Sequence, residues 1–200
     1  FDFLQDANDY YFPPLTGAYL RITRILTMLV TLFVTPVWFL ALEYPEKVPE
    51  VFRFVLVTEE QNIPIIWQLL ILEFVIDGLK LSSLNTPGML SSTFSIIAGI
   101  IVSDFAVKSG WFNSETMLYM AFVAMANYSQ PGYELGYAIK FMRMTMLVGI
   151  SLFGIWGFVA GILLTLYLLL STKIHGKGGY FSPIIPFSAK GLAKLLFRLK

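Results

Sequence analysis

Predominantly apolar blocks of about twenty residues recur along this 200-residue chain and restrict its fold more than any other feature. A helix of that length matches the roughly 30 Å hydrocarbon core of a bilayer and satisfies its own backbone hydrogen bonds there. The blocks lie at residues 25–42, 63–84, 89–108 and 144–170. Composition agrees: 14% of residues are charged, against about a quarter in a soluble domain. A transmembrane β-barrel would instead alternate apolar and polar residues over about ten positions, and no such alternation occurs. The expected fold is all-α, a polytopic transmembrane helical bundle.

Breakers between the blocks predict its organisation. Pro36 lies within the first block and should kink it, with Thr31 or Thr35 positioned to satisfy the freed backbone groups. Residues 43–62 form a polar loop with five glutamates against Lys47 and Arg53. Asn85-Thr86-Pro87-Gly88 separates the second and third blocks by a tight turn, as in an antiparallel helical hairpin. Asn113 or Ser114 is a candidate N-cap with Glu115 in the first turn. The apolar stretch that follows, 117–128, is short for a crossing and reads as re-entrant or interfacial. Residues 133–143 are amphipathic, with Lys140 and Arg143 one turn apart, as in a helix lying at a headgroup interface. Block 144–170 is expected to cross as a single long helix, tilted or protruding.

Lysine and arginine placement sets orientation. Arg21 and Arg24 flank the first block, and the tail at 173–200 carries six lysines and arginines and no acid, so both ends are expected in the cytoplasm. The resulting division is a juxtamembrane segment at 1–20, a transmembrane domain at 21–172 and a basic tail suited to anionic lipid. Four crossings with a short dipping helix satisfy the even count. The chain opens on Phe1 in an acidic stretch, which is neither a start site nor a signal peptide, and is expected to continue upstream.

Ionisable residues inside a span cost several kcal/mol unless paired or wetted, which singles out Glu73, Asp77, Lys80, Asp104 and Lys108. Glu73, Asp77 and Lys80 fall within about 60° on one helix face. Two roles fit the five: internal neutralisation, with Asp77 pairing Lys80 and Asp104 pairing Lys108, or an ion pathway lined by the same side chains. Ser91, Ser95, Gly99 and Ser103 recur every four residues, and beside Val102 they would serve either close helix packing or the lining of a narrow pore; the residues alone favour packing. Gly154, Gly157 and Gly161 form a second small-residue ridge, read as packing. The chain has no cysteine, and its single histidine, His175, has no companion ligands. No nucleophile–base constellation or phosphate loop occurs, so neither catalysis nor a cofactor is expected, and a net charge of +1 offers nothing to nucleic acid.

The strings DYYFPPLTGAYLR at 9–21, LEFVIDGLK at 72–80, NTP at 85–87, DFAVKSGWF at 104–112 and NYSQPGYELGY at 127–137 resemble the membrane domain of the bacterial spore germination receptor A-subunit family over nearly the whole chain. Nutrient-receptor members usually differ at the YFPP, NTP and DFAVK positions, which places the resemblance nearer a sporulation-protein branch. The resemblance implies a spore inner-membrane protein that assembles as a homo-oligomeric ring, expected to be a pentamer, around a pore for monovalent cations, alongside other germination membrane proteins. It also implies that the third block, with Ser91, Ser95, Gly99, Val102 and Ser103, faces that pore, reversing the preference for packing. Members carry a soluble N-terminal domain, which is expected upstream of Phe1. The competing expectation is a non-conducting scaffold; a secondary transporter would require an inverted repeat, and none is evident.

Overall fold

The structure, a computed structural model, describes residues 13–57, 62–85, 104, 106–128 and 133–171. Five α-helices account for most of them: α1 (Pro14–Glu43), α2 (Ile65–Asn85), α3 (Ser114–Tyr128), α4 (Tyr133–Phe153) and α5 (Ile155–Ser171). No strand occurs among the described residues. Helix α1 starts earlier than the apolar block suggested, because Pro14 occupies its first turn, where a missing N–H costs nothing. Arg21 and Arg24 therefore lie inside the helix. The helix stops at Glu43 because Pro45 drives the preceding Tyr44 out of helical geometry. Two 3₁₀ turns follow, Pro45–Lys47 and Glu50–Val55. Pro36 sits within a continuous helix, but the neighbouring threonines do not relieve it as expected. Thr31 Oγ1 donates back to the Thr27 carbonyl at 2.7 Å, and Thr35 Oγ1 is buried without a partner.

The long apolar block at 144–170 is not one helix. It is split at Gly154, whose φ of 58° caps α4 in the left-handed conformation and turns the chain into α5. The two helices pack as an antiparallel hairpin at very close range. A Cβ added at Gly157 would meet the Gly149 carbonyl, backbone against backbone, and one at Gly161 would lie 2.7 Å from Met146 Cγ. The glycine ridge thus serves packing, as its spacing indicated. The interfacial helix expected at 133–143 is instead the first half of α4, continuous with residues 144–153 and packed within the bundle. Periodicity misassigned it because both long basic side chains point into the protein.

Contacts fix the directions of the other helices. Arg143 meets Thr31 and Gly154 lies beneath Tyr44, so α1 and α4 run the same way. Gln68 Nε2 donates to Asn113 Oδ1 at 2.8 Å while the Asn113 N–H donates to Gln68 Oε1 at 3.0 Å, joining the starts of α2 and α3. Asn113 precedes α3 and its carbonyl begins the helix, as the N-cap reading required. Helices α2, α3 and α5 run opposite to α1 and α4. The start of α1 and the end of α5 consequently share one end of the bundle, here the terminal end. The 3₁₀ turns, Gly110 and Gly154 share the other, the loop end.

Burial is inverted relative to a water-soluble protein. Trp38, Phe39, Leu69, Leu72, Met120, Leu147 and Ile150 form an apolar centre, yet Glu73, Lys80, Lys140 and Arg143 are buried too, while Leu26, Phe74, Met125, Phe141, Leu152 and Leu163 are exposed. Such apolar exteriors face lipid or another protein. Trp67, Trp111 and Trp156 are exposed together at the loop end, and Tyr19 and Tyr167 toward the terminal end, the distribution of interfacial aromatic belts. Two helices, Leu15–Glu43 and Glu134–Phe153, are long and apolar enough to cross a bilayer; α2 is of similar length but charged, and Ile155–Leu168 is shorter. Replacing Gly157→Leu should overpack the hairpin and cost about 1–3 kcal/mol, measured as a fall in unfolding midpoint in detergent. Gly154→Ala, strained by its positive φ, should cost about 1–2 kcal/mol in the same assay.

Candidate functional site: a buried charge ladder

Helices α2 and α4 run antiparallel, so successive turns of one meet successive turns of the other in reverse order. Glu73 faces Arg143, Asp77 faces Lys140, and Lys80 stands 5.0 Å from the centre of the Tyr137 ring. The i, i+4 and i+3 spacing on α2 and the i, i+3 spacing on α4 put each set on one helix face, which makes the ladder possible.

Its central rung is the most enclosed. Arg143 and Glu73 are each 1% exposed. The guanidinium donates from Nε to Glu73 Oε1 at 2.7 Å, pairs with the same oxygen through Nη2, and sends Nη1 to the Thr31 carbonyl at 2.7 Å. One side chain therefore ties α4 to both α2 and α1. Lys140 donates to Asp77 Oδ2 and to the Glu73 backbone carbonyl at 3.0 Å, and its ammonium lies 3.7 Å from Glu73 Oε2. Two carboxylates meet two cations, so the pair of rungs is neutral as a unit. Arg143 is halfway along the 21-residue α4, about 15 Å from either end. That is the depth at which an unpaired charge would be most costly in a bilayer.

Of the five ionisable residues expected to matter, Glu73 and Asp77 are rungs of this ladder and Lys80 extends it. Asp77 takes Lys140 across the helix interface as a salt-bridge partner, a contact that spacing along α2 alone does not suggest. Asp104 and Lys108 do pair, at 2.8 Å, but apart from the ladder and at the surface, 51% and 72% exposed. Lys140 and Arg143, which sequence patterning assigned to an outer headgroup layer, are the missing half of the site. The available signal was the matched spacing of two acids and two bases on separate helices. The candidate pore-lining positions Ser91, Ser95, Gly99, Val102 and Ser103 lie outside the described residues, as do His175 and the basic tail. Among the described residues no three His, Asp or Glu side chains gather as metal ligands, and the ladder's chemistry is ion pairing.

Replacing Arg143→Met alone should cost about 3–5 kcal/mol, because Glu73 would be left buried and charged, whereas Glu73→Leu with Arg143→Met should restore most of that loss. A double-mutant cycle on detergent unfolding checks this. Lys140→Met should cost less, since Asp77 keeps 27% side-chain exposure and can be partly solvated.

The family described as Bacillus/Clostridium GerA spore germination protein matches residues 1–200. Stage V sporulation protein AF of Bacillus subtilis is 31% identical over 99% of this chain and 40% of its own length. Spore germination protein KA of the same organism is 24% identical over 98% of the chain and 37% of its own length, and the uncharacterized membrane protein YfkQ is 24% identical over 98% and 38%. The chain thus spans about two fifths of the length of these curated relatives. No solved structure matches it.

Proposed function

The chain belongs to the GerA spore germination protein family, and we propose that it is the membrane portion of an oligomeric channel that releases monovalent cations across the spore inner membrane and so amplifies germination. The observation that carries this reading is the Asp104–Lys108 pair. It is exposed, and Asp104 lies about 9 Å, six residues, from the turn at Gly110. Charges at such a depth face water or another subunit rather than lipid. The same segment leads directly from residues 91–103, whose serines, Gly99 and Val102 would line the pore of a homo-oligomeric ring, a pentamer in this proposal. In this scheme the ladder is the rigid frame. Its two ion-paired rungs, Glu73 with Arg143 and Asp77 with Lys140, balance each other and need no permeating ion.

A common end for the start of α1 and the end of α5 supports a topology with both flanks cytoplasmic, where the basic tail would meet anionic lipid. The two buried ion-pair rungs also favour a second reading, a non-conducting scaffold for other germination membrane proteins, because static ion pairs suit assembly as well as conduction. Planar-bilayer recordings on the full-length protein distinguish the two. Cation currents that disappear with Gly99→Trp, while the oligomer survives by size-exclusion chromatography, are expected for the channel. An intact oligomer that passes no current in either form would leave the scaffold.

A further inference from the structure

One face of α1 is left open between the ladder and the loop end. Leu29, Phe33, Val37 and Ala41 form the floor of a groove of about 930 Å³, with Phe52 and Tyr119 on its walls. It runs from the level of Thr31 to Tyr44, about 20 Å of helix, close to the depth of one bilayer leaflet. The floor is apolar throughout, and Val37 is half exposed. The exposed Trp67 and Trp156 mark the groove's upper end as headgroup level, and Phe52 and Phe54 of the 3₁₀ turn are exposed there too.

The mouth is chemically different from the floor. Lys47 lines it, with its ammonium 4.8 Å from the centre of the Tyr44 ring. Exposed Glu43, Glu46 and Glu50 are its near neighbours in sequence, and Arg53 adds a second cation. Three carboxylates and two cations on one short segment complement a headgroup carrying both signs better than a purely anionic one.

We propose that this groove holds a phospholipid with an ammonium-phosphate headgroup, its acyl chains along α1, its phosphate at Lys47 and its ammonium at the glutamates. The volume and apolar lining suit such an occupant, and the site does not depend on whether the chain conducts. The test is native mass spectrometry of the purified chain after exchange into vesicles of phosphatidylethanolamine and phosphatidylglycerol. Phosphatidylethanolamine should be retained. Val37→Trp, which fills the groove from an exposed position, should weaken retention about tenfold, the equivalent of displacing roughly two buried methylenes. Lys47→Gln should weaken it as well, without altering the fold as judged by circular dichroism. Unchanged retention in Val37→Trp would overturn the proposal, as would exclusive retention of phosphatidylglycerol. The native chain has no cysteine, so Val37→Cys gives a clean probe of the alternative: efficient cross-linking between copies, with no lipid retained, would show the groove to be a subunit contact instead.

Discussion

Arg143 and Glu73 meet halfway along their helices, and the bundle depends on that meeting because neither charge could be buried alone. The desolvation of two ions is offset by their mutual attraction and by the Thr31 carbonyl, which takes the guanidinium donor that the carboxylate does not reach. One side chain thereby sets the relative height of α1, α2 and α4. Lys140 fixes the next turn, sharing its ammonium between Asp77 and the Glu73 backbone. A slip of one helical turn between α2 and α4 would break both rungs together, so the ladder specifies register as well as contributing energy.

The rest of the packing is apolar and less selective. In lipid there is little hydrophobic drive for one greasy helix to choose another, so close approach and polar ties decide the arrangement. The hairpin of α4 and α5 uses close approach, with Gly149 against Gly157 and Met146 against Gly161. The loop end uses polar ties: Gln68 with Asn113, and the Trp38 indole donating to the Val55 carbonyl at 2.8 Å. That bond holds the 3₁₀ turn beside α1 and so shapes one wall of the groove.

Much of this was legible in the residues. The apolar blocks at 25–42 and 63–84 gave helices, Pro45 and Asn113 gave helix ends, and Gly157 and Gly161 gave a packing ridge. Glu73 and Asp77 stood out because a bilayer tolerates charge poorly. Two features misled. Residues 144–170 contain no polar break, so nothing in their hydropathy marks Gly154 as a turn; only a left-handed φ there does. The 133–143 stretch has the amphipathic pattern of an interfacial helix, and a moment cannot say whether its polar face meets headgroups or a partner's carboxylates.

What the sequence determined by itself was a helical membrane chain of the germination family, with charges that had to be answered somewhere. Tertiary structure decided where for the most buried of them: across the α2–α4 interface, with Lys140 taking Asp77 and Arg143 taking Glu73. The physical reason is that hydropathy and periodicity report each residue's preference for its surroundings, whereas an ion pair between residues seventy positions apart exists only once two antiparallel helices have been set at one register.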